Sequence, residues 1–251
     1  MAAPEGREQR TIFGEVADLY DRARPTYPEV LFDTVMEYGG LSAGDRAVEI
    51  GAGTGTATMP FVARGLDILA LEPSPGMADV LRAKGVEVVA SAFEDWVTTD
   101  AFPLLFAAQS WHWVPTEGRY DKALATLAPG GTIALFWNKP RQFTGEFYDR
   151  IDTIFQEHGP DLRSGYGSFV KLLETPQELV AFTDITKHVF AWSHTYTSEQ
   201  YVENQRTHSD HRLLPDERRN ALHGAIAELI DAHGGTIDVY YDTLLFMARR
   251  G

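Results

Sequence analysis

Three closely spaced glycines, Gly51, Gly53 and Gly55, lie in the segment AVEIGAGTGTAT (residues 47–58), between a short apolar run and a helix-like stretch. Glycine loops in this position let the backbone approach a nucleotide-like ligand, because they carry no side chain and can adopt positive φ. A dinucleotide loop has its third glycine five positions after the first, where this chain has Thr56. A phosphate-binding P-loop needs a Gly-Lys-Ser/Thr sequence that does not follow here. The spacing therefore argues against a dinucleotide and excludes a P-loop.

Two acidic residues near the glycines narrow the ligand class further. Glu72 ends a second apolar run in LALEPS, about twenty positions after the glycines, where an acidic side chain accepts hydrogen bonds from both ribose hydroxyls. Glu49 lies just ahead of the loop. Two carboxylates repel the phosphates of a nucleotide, but they favour a cofactor with a ribose, an amino group and no phosphate. S-adenosylmethionine fits this description.

Short apolar runs alternate with helix-like stretches from about residue 45 to residue 138. The alternation predicts helices at 56–65, 74–85 and 116–131, and strands at 46–50, 67–72, 86–90, 103–109 and 132–138. The helix at 74–85 has clear boundaries, because a serine and a proline begin it and a glycine ends it. Strands and helices at this spacing form a parallel sheet covered on both faces, so the predicted fold class is α/β and doubly wound.

The segments outside this alternating region are predicted to be mostly helical. Two helices precede it within residues 8–38, and an aromatic-bearing helical cap insertion follows it at about 141–184. The remaining chain predicts a strand at 185–195, a helix at 215–233, and either a strand pair or one long bent strand at 235–250. We expect a single domain over residues 1–251, with its core formed by about 40–138 and 185–251.

The segments VEIGAGTG and LALEPSPGM resemble the cofactor site of class I S-adenosylmethionine-dependent methyltransferases. The resemblance extends through SAFEDW (91–96), FAAQSWHWV (106–114) and LAPGGTIALFWN (127–138). The opening FGEVADLYDRARPTYP (13–28) is similar to the first helix of a small-molecule branch that includes trans-aconitate methyltransferase-like enzymes. The resemblance implies a Rossmann-like fold with a mostly parallel seven-stranded sheet. It also implies methyl transfer from S-adenosylmethionine to a small-molecule acceptor by in-line displacement, leaving S-adenosylhomocysteine.

The same resemblance assigns cofactor contacts residue by residue. The three glycines of the loop approach the methionine part and the ribose, and Glu72 takes the ribose hydroxyls. Glu94 can substitute for an Asp that the family often has where this chain has Ser91. The remaining contacts are Met77 on the adenine, backbone amides of Ala92 and Phe93 at the ring, Gln109 beside the sulfonium, and Tyr20 and Arg24 at the methionine carboxylate. For Tyr20 and Arg24, helix packing and a surface ion pair are the alternative.

The acceptor side offers one candidate general base, His112 in QSWHWV, directly beyond the fourth predicted strand. An imidazole can take a proton from an amine or a hydroxyl near neutral pH. The alternative is a packed residue in the crevice between two tryptophans. A carboxylate acceptor would need no base but a nearby arginine, such as Arg141 or Arg163, so methylation on oxygen, nitrogen or carbon stays open. The candidate substrate contacts are Phe13, Trp111, Trp137, Asn138 and Tyr166, part of an aromatic set that suits a planar or apolar small molecule.

Three other functions remain compatible with the motifs. A nicotinamide-dependent oxidoreductase shares the sheet topology, although Thr56 argues against it. A protein that binds S-adenosylmethionine without transferring methyl would carry the same cofactor motifs. An enzyme that uses S-adenosylmethionine for another reaction would also carry them, because function resides in the site and not in the fold.

Composition limits the partners. The formal net charge of −14 disfavours nucleic acid, because the phosphate backbone attracts basic surfaces. The absence of cysteine excludes disulfides, thiolate zinc sites and cysteine nucleophiles. No apolar run approaches the length of a membrane span, and MAAPEGREQR has no hydrophobic signal core, so we expect a cytoplasmic protein with no membrane partner. The sequence does not indicate an oligomeric state.

One histidine pair superficially suggests a metal site. His208 and His211 lie three positions apart in RTHSDHR, with Asp210 between them. On a helix this spacing places both rings on one face, but no third ligand is evident. We therefore predict no metal.

Overall fold

The computed structural model describes residues 17–141, 145–160, 162 and 181–251. Two short helices come first, α1 (Ala17–Ala23) and α2 (Glu29–Gly39). The alternating region follows as β1 (Arg46–Ile50), α3 (Thr58–Ala63), β2 (Asp67–Leu71), α4 (Pro75–Ala83), β3 (Glu87–Val89), β4 (Phe102–Ala108), α5 (Arg119–Thr126) and β5 (Leu127–Pro140). A 3₁₀ turn at Trp111–Trp113 lies between β4 and α5. The chain continues through α6 (Glu146–His158), β6 (Phe182–Thr197), α7 (Ser198–Arg206), α8 (Ser209–Leu213), α9 (Asp216–Ala232) and β7 (Thr236–Arg250).

The described strands form one seven-stranded sheet in the order β3-β2-β1-β4-β5-β7-β6. The first five of these strands pair in parallel, whereas β7 is antiparallel to both β5 and β6. The predicted doubly wound, mostly parallel α/β sheet is therefore confirmed. Strand order reverses between β1 and β4, which is where ligands bind in open α/β sheets, outside the carboxyl ends of the strands.

Both faces of the sheet are apolar, as helices on both sides require. Successive residues of β4 alternate between two core clusters, with Leu104 and Phe106 in one and Leu105 and Ala107 in the other. Helices α2 and α3 cover the first face with residues such as Phe32 and Phe61. Helix α5 covers the second face, and α6 and α9 share a third cluster beside β7. Helices thus cover both faces of the sheet, and a ligand site can form at the edge where the parallel strands have their carboxyl ends.

Several predicted boundaries differ from the structure. The helix predicted at 116–131 ends at Thr126, because Leu127 already pairs with Phe102 of β4. Strand β5 therefore begins five residues before the predicted 132, with a register shift at the Pro-Gly-Gly turn. The segment at 235–250 is one long strand and not a strand pair, and β6 is longer than predicted at both ends. Long antiparallel pairing with β7 stabilises residues that local periodicity leaves ambiguous.

Two helices were not predicted, and one predicted unit is described only in part. Helix α7 begins with a capping box, in which Thr197 and Gln200 bond each other's backbone N–H groups. Helix α8 is a single short turn beyond it. Within the predicted cap at 141–184, residues 145–160 contain α6, while 142–144, 161 and 163–180 lie outside the described residues. The division into core and cap stays a prediction.

Candidate active site

A cleft lies at the carboxyl ends of β1, β2 and β4, where the strand order reverses. Its volume of about 120 Å³ is several times the space that one water molecule needs, so it has room for more than solvent. The cleft is lined by Tyr20, Ile50, Gly51, Gly53, Glu72, Pro73, Met77, Ser91, Ala92, Phe93, Glu94, Ala108, Gln109, Ser110, Trp113 and Val114. None of these lining residues is Lys, Arg or His.

The glycine loop divides into two roles. Gly51 and Gly53 line the cleft with positive φ values of 66° and 59°, which glycine adopts without strain. Gly55 does not line it. A Cβ on Gly55 would lie 2.5 Å from Leu81 Cδ1, so its missing side chain lets the loop pack against α4. The predicted ligand contact of Gly55 is therefore corrected to a packing role.

Glu72 follows β2 and is held in the cleft wall by two backbone groups. The Gly53 N–H donates to its Oε2 at 2.8 Å, and the Ser74 N–H donates to its Oε1 at 2.8 Å. Burial raises the pKa of Glu72, and the two backbone hydrogen bonds act against that rise. Each carboxylate oxygen has a further lone pair, so the side chain can also accept hydrogen bonds from a ligand's hydroxyl groups.

Glu49 occupies a different environment from the one predicted. It is buried in β1, accepts a hydrogen bond from the Thr58 hydroxyl of α3, and does not line the cleft. Burial raises the pKa of Glu49 to about 8, with the Thr58 hydrogen bond acting in the opposite direction and the nearby Glu72 charge adding to the rise. The side chain is therefore mainly protonated near neutral pH. Glu49 therefore does not contribute a charged carboxylate to the ligand site, as had been expected. The carboxylates that line the cleft are those of Glu72 and Glu94.

The loop after β3 forms one wall of the cleft. Met77 lines it from α4, and Ala92, Phe93 and Glu94, which the resemblance assigned to the adenine, line it from the loop. Lys122 Nζ of α5 donates to the carbonyl oxygens of Glu94 and Trp96, at 2.9 and 2.6 Å. These bonds fix the loop, so its backbone groups are presented to the cleft in one arrangement.

Gln109 adopts an unusual backbone conformation directly after β4. Its φ of 57° is left-handed, a conformation that non-glycine residues adopt rarely and that is enriched at active sites. Its backbone N–H donates to the Phe136 carbonyl, and its Nε2 donates to the Asn138 carbonyl at 3.2 Å. These two bonds to β5 hold the strained turn in place at the cleft.

Comparisons with known proteins agree with this geometry. Residues 47–131 match the family model described as a methyltransferase domain. An uncharacterized methyltransferase of Mycobacterium tuberculosis is 28% identical over 230 residues, which cover 90% of this chain and 88% of the relative. A proposed type II methyltransferase from Anaeromyxobacter dehalogenans has the same fold, with a TM-score of 0.68 at 17% identity over 90% of this chain and 97% of that chain. An S-adenosylmethionine-dependent methyltransferase from Thiobacillus denitrificans, solved in complex with S-adenosylhomocysteine, has a TM-score of 0.52 at 14% identity over 95% and 98% of the two chains.

Residues 47–131 match a methyltransferase domain, and the similarity over most of the chain supports an S-adenosylmethionine-dependent methyltransferase of class I. The cleft of this methyltransferase contains most of the predicted cofactor contacts: Gly51, Gly53, Glu72, Met77, Ala92, Phe93, Glu94, Gln109 and Tyr20. Ser110, Trp113 and Val114 also line it, although they were not predicted as cofactor contacts. Ser110 donates to the Ile50 carbonyl and packs where a Cβ on Gly51 would lie. The sequence signal for these residues was their position directly after β4, at the carboxyl edge of the sheet.

Tyr20 and Arg24 have different positions relative to the cleft of this methyltransferase. Tyr20 lines the cleft, whereas Arg24 does not. The Arg24 guanidinium lies 4.9 Å from the centre of the Tyr20 ring, a cation–π contact, and its Nη2 donates to the Thr207 carbonyl at 3.1 Å. Arg24 therefore lies behind Tyr20, next to the cleft without lining it, and is bonded to the end of α7. The surface ion pair that was the alternative is also absent, since no ion pair of Arg24 exists among the described residues.

The candidate base of the methyltransferase, His112, is exposed on the 3₁₀ turn and does not line the cleft. Trp137 Nε1 donates to His112 Nδ1 at 3.3 Å, so that nitrogen carries no proton and the neutral ring has its hydrogen on Nε2. A hydrogen on Nε2 makes that atom a donor. In this tautomer, only Nδ1 can accept a proton, and Trp137 already occupies it. The geometry therefore does not present His112 as a ready base, and its catalytic role stays a prediction.

The predicted substrate contacts fall into three groups. Trp111 and Trp137 are buried in the core beside β5 and do not line the cleft. Asn138 is also buried, and both ends of its amide are used: Nδ2 donates to the Thr26 carbonyl, and Oδ1 accepts from the Thr243 hydroxyl. These bonds tie the segment before α2 to the sheet, so a structural role replaces the predicted substrate contact. Phe13 and Tyr166 lie outside the described residues, as does Arg163.

The remaining polar candidates were Arg141 and the histidine pair. Arg141 is paired with Asp242, at 2.7 and 2.8 Å. His208 precedes α8 and His211 lies within it, so the two rings do not share the face of one helix as the spacing predicted. His211 Nδ1 lies 3.1 Å from His223 Nε2 of α9. Within the part of the chain that the structure describes, no three His, Asp or Glu side chains converge as metal ligands.

No described helix combines the length and the apolar composition needed to cross a membrane.

Proposed function

We propose that this methyltransferase transfers a methyl group from S-adenosylmethionine to a small-molecule acceptor by in-line displacement. The observation that carries the proposal is the charge of the cleft lining. Among the described residues, the lining contains two acidic side chains, Glu72 and Glu94, and no basic one. A pyrophosphate would meet repulsion there, whereas a cofactor with a sulfonium, an amino group and a phosphate-free ribose meets attraction.

The residues of the cleft fit the parts of this cofactor. Glu72 can accept hydrogen bonds from the ribose hydroxyls, because each of its oxygens keeps a lone pair beyond its backbone bond. Gly53 leaves room for the ligand beside Met77, Gly51 lets Ser110 pack closely, and Met77 and Phe93 supply apolar surface for the adenine. Gln109 contributes at the junction of β4 and β5, near which the methyl group is expected.

The cofactor supplies an electrophilic methyl carbon and a neutral thioether leaving group. The protein's contribution is alignment and exclusion of water. Tyr20 and Trp113 provide aromatic walls for this purpose, and the bonds of Gln109 to the Phe136 and Asn138 carbonyls keep that end of the cleft rigid. No described cleft residue is a histidine or a lysine, so the acceptor atom does not find a basic nitrogen in the lining.

A small molecule is the favoured acceptor for two reasons. The formal charge of −14 disfavours a nucleic acid, and the reacting edge lies in a recessed cleft bounded by Tyr20 and Trp113. The trans-aconitate methyltransferase-like subtype, the cytoplasmic location and the atom that is methylated stay predictions. The absence of a basic residue from the lining and the position of Thr56 both disfavour the nicotinamide-dependent alternative.

The test has a binding arm and a turnover arm. Calorimetry on the pure protein should detect binding of S-adenosylmethionine and S-adenosylhomocysteine, and little or no binding of NADH. The protein is then incubated with methyl-tritiated S-adenosylmethionine and either the ultrafiltrate or the retained macromolecules of a cell extract. Label transferred within the ultrafiltrate supports the proposal, and the Glu72→Ala variant should transfer far less.

Three outcomes would contradict the proposal in different places. Preferential binding of NADH would favour the alternative function, a nicotinamide-dependent oxidoreductase. Label found only in the macromolecules would support methyl transfer but contradict a small-molecule acceptor. Tight cofactor binding without transfer in any fraction would favour a binding protein, and breakdown of the cofactor without methylation would favour a different reaction.

A further inference from the structure

Arg24, next to the cofactor cleft, has no counter-ion among the residues that the structure describes. A guanidinium carries five N–H donors, and the described residues provide Arg24 with one hydrogen-bond acceptor, the Thr207 carbonyl. The Nε–H of Arg24 is buried and has no acceptor in the described part of the chain. Arg141, which the sequence suggested for a carboxylate acceptor, differs from Arg24 because Asp242 neutralises it. An arginine that is partly withdrawn from water without a carboxylate beside it is unfavourable unless a ligand completes the site.

Most of the polar groups around this cation are neutral. The Tyr196 and Tyr241 hydroxyls lie 3.1 Å apart, beside the carboxyl end of β5. Burial first, and then the charge of Arg24, lower the pKa values of His208 and His211, so both rings are neutral near pH 7. Asp210 feels the same charge but forms no ion pair with Arg24, and its Oδ1 accepts the His211 backbone N–H. No described carboxylate therefore forms a direct ion pair with Arg24, although Asp210 is near enough to interact with its charge.

The site connects directly with the cleft through one side chain. Tyr20 lines the cleft and also lies under the Arg24 guanidinium, whose carbon is 4.9 Å from its ring centre. Three hydrogen bonds hold this region in place: Arg24 to the Thr207 carbonyl, Asn204 to the Ala23 carbonyl, and Asn138 to the Thr26 carbonyl. A ligand that reaches from Arg24 past Tyr20 would therefore place its other end where methyl transfer is proposed.

We propose that Arg24 binds an anionic group of the methyl acceptor, a carboxylate or a phosphate, and that Tyr20 guides the rest of the acceptor into the cleft. This inference rests on the proposed methyl transfer, but it assigns Arg24 to the acceptor and not to the cofactor. A planar guanidinium whose buried Nε–H is unused by the described residues suits two parallel hydrogen bonds to a carboxylate or phosphate. The acceptor is then an organic anion.

The test measures anion binding to protein saturated with S-adenosylhomocysteine, so it does not depend on finding the natural acceptor. Sodium benzoate, inorganic phosphate and neutral benzamide are titrated separately, with thermal unfolding and tryptophan fluorescence as readouts. The wild type should bind benzoate, phosphate or both, and should not bind benzamide. Benzoate alone would indicate a carboxylate, and phosphate alone a phosphate. In Arg24→Gln, the apparent Kd of the bound anion should rise by at least about tenfold.

The matched control is Arg22→Gln, which removes an equal charge two residues away. Arg22 pairs with Glu203 at the surface, so its loss should change the anion Kd by less than about twofold. Arg24→Lys keeps the charge without the planar fork and should fall between wild type and Arg24→Gln. If Arg24→Gln does not fold, Arg24→Lys alone decides, because an unchanged anion Kd in that variant contradicts a bidentate site.

Separate results overturn the inference and the proposed function. An absence of benzoate and phosphate binding in the wild type, or equal binding in Arg24→Gln, overturns the anion site. Loss of S-adenosylhomocysteine affinity in Arg24→Gln with unchanged anion binding also overturns it, since Arg24 would then hold the cofactor's carboxylate. A wild type that binds the anions but no S-adenosylhomocysteine refutes the proposed cofactor and leaves the anion site standing.

Discussion

The carboxylate of Glu72 accepts the backbone N–H of Gly53 at 2.8 Å, across the carboxyl ends of two neighbouring strands. This contact fixes the glycine loop against the end of β2, and the second oxygen of Glu72 holds the start of α4 through the Ser74 N–H. One side chain thus shapes both walls of the cleft and keeps lone pairs for a ligand. Stability and cofactor affinity should therefore depend on it together.

Glu72→Ala should weaken S-adenosylhomocysteine binding by at least about tenfold, since hydrogen bonds to a charged group contribute about 1.5–3 kcal/mol. It should also lower the free energy of unfolding by about 1–3 kcal/mol, because the Gly53 and Ser74 N–H groups lose their acceptor. Calorimetry and urea unfolding measure the two effects. The exposed Glu87 of β3 provides a control, and Glu87→Ala should leave both quantities nearly unchanged. Unaltered cofactor affinity in Glu72→Ala would contradict the assigned site.

Alanine substitutions in the glycine loop should separate ligand contact from packing. Gly55→Ala forces a Cβ to within 2.5 Å of Leu81 Cδ1, so it should mainly destabilise the fold. Gly53→Ala meets no atom closer than Met77 Sδ at 3.9 Å, but its Cβ enters the cleft lining, so it should mainly weaken cofactor binding. Gly85→Ala also has positive φ and meets nothing within 4 Å, so it measures backbone strain alone, about 1–2 kcal/mol. Equal effects of Gly53→Ala and Gly55→Ala on affinity would contradict this division.

The buried carboxyl of Glu49 should make stability depend on pH. Burial raises its pKa from 4.5 to about 8 in the folded protein, so the folded state retains a proton that the unfolded state loses. The stability associated with the neutral carboxyl is fully present below pH 4.5 and is lost as the pH rises toward 8. Glu49→Gln removes this titration and can still accept the Thr58 hydroxyl. Its stability relative to wild type should therefore increase with pH across that window, on the order of 1 kcal/mol per unit.

Urea unfolding at pH 5, 6.5 and 8 checks the Glu49 prediction. The comparison uses the difference between variant and wild type, because the pKa of Glu72 is also raised by burial and contributes to the total dependence of both proteins. Parallel stability curves for the two proteins would show that Glu49 titrates near its ordinary value, and would restore the charged carboxylate pair expected at the loop.

The contact between Trp137 and His112 predicts a single imidazole tautomer. Because Trp137 Nε1 donates to His112 Nδ1, the neutral ring should carry its hydrogen on Nε2. Nitrogen-15 NMR of histidine-labelled protein distinguishes the tautomers. Trp137→Phe removes the donor and should increase the population with hydrogen on Nδ1. A predominant Nδ1–H form in the wild type would contradict the contact and would leave Nε2 available as the base that the sequence suggested.

The sequence predicted the parts of this protein that depend on neighbouring residues. The alternation of apolar runs and helices indicated the parallel strands β1 to β5. Parallel strands bring their carboxyl ends to one edge, so the pattern of the chain placed the glycine loop and Glu72 at one site. The resemblance to methyltransferases added Met77 and the 91–96 loop. The boundaries of β5, β6 and β7 could not be predicted in this way, because their extent depends on antiparallel pairing between distant segments.

Tertiary structure alone decided which polar groups are satisfied. Asn138 is used by Thr26 and Thr243, Arg141 is neutralised by Asp242, and Gly55 packs on Leu81. Arg24, by contrast, is placed beside Tyr20 with its Nε–H unused by any described residue. Local sequence sets the type and spacing of residues, because periodicity and turn chemistry act over a few positions. The partner of each side chain is set by packing across the whole chain, so the charge and the free donors of the site emerge only in the folded protein.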